Sequence, residues 1–187
     1  MTDLNDGVMT PPTGSYALDP VHTFAEFRVR HLVVGKVCGR FDSISGDFVI
    51  GEDAEHLFGH VEVRIDAASI DTNVEARDED LRSARFFDVE NFPAITFRGT
   101  GSSKVAVNVW TVSGDLTIRH VTNPITLEVT VRGAKPNAHG QVKVGLTATA
   151  HATRADFDLT TELVQESGGA GGPDVEIEVD VEAVLRD

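Results

Sequence analysis

The sequence predicts an all-β protein, a roughly eight-stranded antiparallel β-barrel with one short helix inserted between strands 3 and 4. Three observations carry this. Apolar residues recur at period two in tract after tract, as in strands with one face buried. The tracts are separated by short Gly-, Asn- and Pro-containing segments, the spacing of an all-β sandwich or barrel. A single stretch, near residues 74–87, abandons that period for helix-type charge placement. Closure into a barrel removes the exposed edges that so many Val-rich strands would otherwise present.

Residues 1–14 read as a flexible tail ending near Pro11-Pro12, and 15–187 as one domain. Ser15–Val34 is a long extended tract in which Phe27, Val29, His31 and Val33 share one face. Gly39 and Gly46 bracket the second strand, with Phe41, Phe48 and Ile50 inward. His60–Ile70 is the third, with Val61, Val63 and Ile65 inward. Ala94–Gly99 is a short fourth strand carrying Ile95 and Phe97. Lys104–Arg119 reads as one longer strand whose apolar parity switches between Val109 and Trp110, which a bulge or bend would produce. Asn123-Pro124 is a turn signal. Ile125–Arg132, Val142–Ala150 and Val175–Val181 complete the set, with loops at KPNAHG (135–140) and SGGAGGP (167–173). Eight strands enclose either a packed interior or space for one small ligand. Small residues at Ala148, Ala150 and Ala152 favour the hollow alternative.

The helical insertion has its own logic. Thr72 and Asn73 are capping residue types, Glu75 lies in the first turn, and Arg82 and Arg85 lie near the end, opposing the helix dipole. Asp78 and Arg82 have the spacing of a helical ion pair. Val74, Leu81, Ala84 and Phe87 form a thin apolar stripe that needs a larger body to pack on, and Pro93 holds Phe92 extended and ends the tract. The segment reads as a plug or lid.

Composition narrows function. A formal net charge of −14 disfavours nucleic acid and anionic lipid surfaces, both of which call for clustered Lys and Arg. A single cysteine, Cys38, leaves no internal disulfide and no Cys-rich zinc site. The N-terminal residues lack a basic, apolar signal pattern and no run reaches the length of a membrane span, so the expected location is cytoplasmic. No nucleophile elbow, H-E-x-x-H pair or phosphate-cradling loop is present, and catalysis is not expected.

The ordered motifs Tyr16-Ala-Leu-Asp19-Pro20-Val-His22-Thr23, Gly39-Arg-Phe41, Ser69-Ile-Asp71-Thr72-Asn73, Arg77-Asp78, Phe86-Phe87, Pro93, Gly114-Asp-Leu116-Thr-Ile118 and Thr122-Asn-Pro124-Ile125 run through nearly the whole chain. Together they resemble the YceI-like family. That resemblance implies a lipocalin-like barrel with a polyisoprenoid lipid or isoprenoid quinone as ligand, in a family whose members often form homodimers; no other cofactor and no metal are expected. Two residues depart from the family pattern. His120 and Asp158 stand where glycines are usual, so the turn at His120 must avoid a glycine-only conformation.

An isoprenoid tail has no hydrogen-bonding group and calls for an apolar tube. The candidate wall is Phe27, Val29, Phe41, Phe48, Val63, Ile65, Phe97, Trp110, Leu116, Leu127 and Leu146, each of which can equally be plain core. The polar candidates are His22, His31 and Arg154, as headgroup contacts or as histidines bonded within the fold. Arg77, Asp78, Leu81, Phe86 and Phe87 are assigned to fastening the lid. The alternative function is an enzyme using the same pocket, with His22 or His31 as acid–base group or metal ligand. A metal site from His22, His31, His120 and His151 has no recognisable ligand spacing.

Overall fold

Strand pairing runs without a break around a closed ring. The structure, a computed structural model, describes residues 10–31, 35–159 and 174–186; of His31 it describes the backbone alone. The strands are β1 (Gly14–Leu18), β2 (Phe24–His31), β3 (Gly35–Phe41), β4 (Ile44–Ile50), β5 (Phe58–Asp66), β6 (Ile70–Asp71), β7 (Ala94–Ala106), β8 (Val109–Ile118), β9 (Val121–Pro136), β10 (Val142–Thr153) and β11 (Asp174–Leu185). One helix, α1, spans Glu75–Arg82.

Antiparallel pairing follows the order β1-β4-β5-β7-β8-β9-β10-β11, and β1 pairs with β11 to close the ring. β11 is shared lengthwise: Ala183–Leu185 pair with β1, while Val175–Asp180 pair with β2. β1 with β2, and β3 with β4, therefore act as two bent strands, and the protein is an eight-stranded closed barrel. The long tract Ser15–Val34 of the sequence reading is broken by a turn at 19–23, and its residues 32–34 lie outside the described set. Glycine permits the close approaches that the bends require. A Cβ on Gly46, whose φ is 154°, would stand 2.2 Å from the Glu62 carbonyl oxygen.

Two other expectations need correction. The parity switch near Asn108 marks a two-residue hairpin between β7 and β8. Asn108 adopts φ 59°, and Ala106 pairs with Val109. β7 is thus far longer than the expected short strand, and its register shifts fall at Gly99–Gly101 and Lys104–Ala106. Asn123-Pro124 lies inside β9 rather than in a turn; the chain reverses at Arg119-His120, where Arg119 takes φ 54°. Pro124 faces Asp115, one pair in from Leu116–Asn123, which is a hydrogen-bonded pair in a ladder counted from the two-residue turn at Arg119-His120. Ladder bonds alternate between sides, so its absent N–H falls on the flank where β10 has not begun to pair. The Tyr16 hydroxyl donates to the carbonyl of Pro12, just before β1, at 2.7 Å.

Of the two family departures, His120 has no positive φ, whereas Asp158 does take the left-handed conformation, φ 52° and ψ 31°, ending a short 3-10 turn at Arg154–Phe157. Asp is among the few non-glycine residues that tolerate it. The loop SGGAGGP lies outside the described residues.

Candidate functional site

The two ends of the barrel are built differently. At the end formed by β1, the start of β5 and the β7–β8 hairpin, inward side chains meet and fill the space. Tyr16 stacks on Phe48 with ring centroids 5.3 Å apart, Phe48 meets Phe58 at 5.9 Å, and Phe58 meets Trp110 edge-on at 6.2 Å. Ile50, Val144 and Ala183 complete this floor with almost no solvent exposure. Its polar atoms are satisfied: the Trp110 indole N–H donates to the Ala54 carbonyl at 2.9 Å, and Ser102 Oγ bonds both the N–H and the carbonyl of Phe58 at 3.0 Å.

At the opposite end the inward faces of the strands do not meet. They enclose a cavity of about 500 Å³, within the range of small-molecule sites. Val175, Ile177, Val179 and Val181 of β11, Val61, Val63 and Ile65 of β5, and Ile125 and Leu127 of β9 line it and are only partly buried, because they face open space rather than one another.

The lid segment covers this end. Asp78, buried on α1, accepts from the Thr72 backbone N–H at 3.0 Å and from the Thr72 hydroxyl. Arg77 donates from Nε to Thr72 Oγ1 at 2.7 Å and from Nη2 to the Thr72 carbonyl at 2.8 Å. Arg82 reaches the carbonyls of Ala68 and Ile70 at 2.9 and 2.7 Å. Arg82 is thus drawn to backbone oxygens and to Glu75 at 3.8 Å, in place of the expected Asp78–Arg82 pair. Val74, not Thr72 or Asn73, occupies the N-cap, since Asn73 turns left-handed at φ 61°. Thr72 packs so closely on β3 that a Cβ on Gly39 would fall 2.7 Å from its methyl. Phe86 and Phe87 meet at 4.9 Å, and Phe87 contacts Phe41 at 5.8 Å.

The cavity brings together most of the sequence-derived wall. Phe27, Val29, Phe41, Phe48, Val63, Ile65, Phe97, Leu116, Leu127 and Leu146 all line it, as do Ala148, Ala152 and Arg154. The lid residues Arg77, Leu81, Phe86 and Phe87 are wall as well, while Asp78 stays behind it. Trp110 belongs to the floor and does not reach the cavity. His22 lies outside, in the turn that joins β1 to β2 beside Glu182, more than half exposed and 3.1 Å from Asp19. It cannot act within the pocket. His31 closes β2 opposite Gly35, and its side chain lies outside the described residues.

Sequence reading missed Phe157 and Leu159, which line the cavity from beyond β10, and Ile118, Ile125 and Val175–Val181. The strand residues share the parity of residues already chosen; Phe157 and Leu159, beyond the end of β10, carried no periodic signal.

Charge enters at the mouth. Glu26, Arg77, Asp80 and Arg154 are the charged side chains among the described lining residues, and desolvation lowers the pKa of the Arg154 guanidinium. A second, polar cleft of about 360 Å³ adjoins the cavity across Val29, Ala152 and Thr153. Its basic residues are largely engaged: Arg28 with Glu178 at 2.9 Å and Lys36 with Glu176 at 3.8 Å.

The histidines considered for a metal do not converge: His22 lies beside Asp19 and Glu182 in the turn between β1 and β2, and His120 beside Asp158 in the turn between β8 and β9. Among the described residues Asp19, His22 and Glu182 bring possible ligand atoms within 4.8 Å of one another. The Lys143 ammonium already sits between the two carboxylates, 2.9 Å from Asp19 and hydrogen-bonded to Glu182. That bond, ahead of the His22 contact, holds the Asp19 carboxyl at about 2.

With this geometry in place, the comparisons with known proteins can be set beside it. The model of the YceI-like domain matches residues 16–183. The chain belongs to the YceI-like family. A YceI-like relative, UPF0312 protein YE1254 of Yersinia enterocolitica, is 36% identical over 163 residues, covering 87% of this chain and 81% of its own length. BcnA of Burkholderia cenocepacia superposes with a TM-score of 0.77 at 19% identity, covering 88% of this chain and 98% of BcnA. A domain from Saccharophagus degradans, described as polyisoprenoid-binding, gives a TM-score of 0.71 at 18% identity, covering 91% of this chain and 98% of that domain. At those identities the two structures speak for the YceI-like fold alone.

Proposed function

We propose that this protein binds a long-chain isoprenoid lipid, an isoprenoid quinone included, in the mouth half of its barrel, and carries, stores or sequesters it. The observation that carries the reading is the cavity itself: about 500 Å³ walled by aliphatic and phenylalanine side chains, with charge confined to one end. A tail without donors or acceptors leaves no polar group unpaired on such a wall. Each buried isoprene unit contributes about 4 kcal/mol gross, from which ordering of the chain and loss of free motion are subtracted. Arg154, which lines the cavity, is the candidate partner of a headgroup oxygen, while Arg77 is held by Thr72. The description of the Saccharophagus degradans domain supports the same ligand class.

The test is mass spectrometry of an organic extract of the natively folded, purified protein. A long-chain isoprenoid or quinone recovered near one per chain supports the proposal. A clean extract, repeated after the protein has been offered a mixed isoprenoid pool, contradicts it.

A further inference from the structure

We propose that the polar cleft beside the cavity seats the ligand's headgroup, and that it takes an uncharged head, a hydroxyl or a quinone carbonyl, rather than an ionised diphosphate. This rests on the isoprenoid reading above and adds where the head lies and what chemistry it has.

The placement follows from strand alternation at the rim. Val29 pairs with Val175 and Val175 with Ala152, and this apolar rank across β2, β11 and β10 lines the cavity. The neighbours of each along its strand turn to the opposite face. Arg28, Arg30, His151, Asp174 and Glu176 accordingly line the cleft and not the cavity. β10 ends at Thr153 and β11 begins at Asp174, so the sheet that separates the two spaces stops here. Val29, Ala152 and Thr153 border both. An amphiphile whose tail lies against the apolar rank brings its head over the rim into the cleft.

Charge decides which head. Arg28, Arg30 and Lys36 stand in the cleft with Asp156, Asp174 and Glu176, so the two signs balance. Arg28 is already answered by Glu178 at 2.9 Å and Glu26 at 3.1 Å, and Lys36 by Glu176 at 3.8 Å. A diphosphate has to displace those carboxylates or lie against them, in a protein whose formal net charge is −14. An uncharged head meets no such penalty. A hydroxyl gives its proton to a carboxylate, a carbonyl oxygen accepts from Arg30, and Thr153 and His151 offer further hydrogen-bonding groups.

Geranylgeraniol, an isoprenoid alcohol, and geranylgeranyl diphosphate carry the same tail, so the ratio in which they bind reports the head. The full chain is offered both, equimolar, in nonionic detergent micelles and is then re-isolated. Bound amounts are measured by mass spectrometry and divided by the amounts left in the micelles. The alcohol is expected to exceed the diphosphate at least about tenfold. Asp174→Asn with Glu176→Gln, checked for its fold by circular dichroism, leaves the cleft cations in excess. It is expected to move the ratio toward the diphosphate at least about fivefold. Glu52→Gln with Glu55→Gln removes the same charge from the exposed loop between β4 and β5, and is expected to move it less than about twofold.

A diphosphate bound as well as the alcohol overturns the uncharged head. A ratio that moves no further in the cleft variant than in the loop variant overturns the cleft as its seat. Either result leaves the isoprenoid reading standing, whereas neither compound bound overturns both. In the unaltered protein, NMR gives a second reading of position. The His151 ring signals are expected to shift when geranylgeraniol is added, while those of His56 in the loop between β4 and β5 hold; an unmoved His151 contradicts the placement.

Discussion

The floor and the mouth of this barrel are made from the same strands and the same residue types, yet they serve opposite purposes. β5 contributes Phe58 to the floor and Val63 and Ile65 to the cavity wall; β8 contributes Trp110 to one and Leu116 to the other. What differs is whether the side chains meet across the interior. Tyr16, Phe48, Phe58 and Trp110 meet ring to ring at the floor, whereas the valines, isoleucines, phenylalanines and alanines of the mouth half line open space. A strand face that alternates correctly thus guarantees an interior but says nothing of whether it is filled. The floor is packed like a core, and the mouth half holds the candidate site.

The largest effect tests that division directly. Phe58→Ala or Trp110→Ala opens a hole in a filled cluster and is expected to lower unfolding free energy by about 3–5 kcal/mol. Leu127→Ala, on a wall that already faces open space, is expected to cost less than about 2 kcal/mol while changing ligand retention. Urea unfolding of the three variants makes the comparison, and equal losses would erase the distinction between the two halves.

Next in size is the lid. Asp78→Ala leaves the buried Thr72 N–H without an acceptor, a loss of about 1–3 kcal/mol. Hydrogen exchange is expected to quicken across residues 67–92 before the barrel strands respond. Simultaneous exchange throughout would mean that the lid and barrel open together.

The Asp19–Lys143 pair also carries a pH signature. The folded pKa of Asp19, about 2, lies below its ordinary 3.8. Its contribution is therefore fully present above about pH 4 and is lost as pH falls through about 2. With Asp19 partly exposed, this amounts to about 1–2 kcal/mol. Lys143→Met removes the main cause and is expected to flatten stability between pH 4 and pH 2; an unaltered slope would assign the acid sensitivity elsewhere.

The smallest effect belongs to the hairpin tip. Val107 is 82% exposed, so Val107→Ser is expected to change the thermal midpoint by no more than about 0.5 kcal/mol equivalent, without touching the cavity.

Much of this architecture was legible in the sequence because period-two alternation encodes which face of a strand points inward. That parity placed Phe27, Val63, Leu127 and Leu146 on a common interior, and the cavity wall passes through all four. Parity is local, however, and does not report depth along the barrel axis. Trp110 shares the inward parity of Leu116 but stands at the floor. His22 was read into a continuous strand because a turn at 19–23 interrupts alternation too briefly to register, and the turn carries it to the outer surface. Arg82 shows the same limit in the helix. Spacing predicts Asp78 as its partner, but the carbonyls of Ala68 and Ile70, distant along the chain, compete for its guanidinium. The hollow itself was weakly signalled, by Ala148 and Ala152, since emptiness depends on what faces a side chain across the barrel.

The most direct test of a filled floor beneath a hollow, ligand-binding mouth is methyl-resolved NMR with and without geranylgeraniol, a C20 isoprenoid alcohol. The methyl signals of Leu127, Ile177 and Val179 are expected to shift and to show contacts to the ligand, while those of Ile50, Val131 and Val144 keep their positions. Shifts centred on the floor methyls, or no shift at either end, would contradict the account.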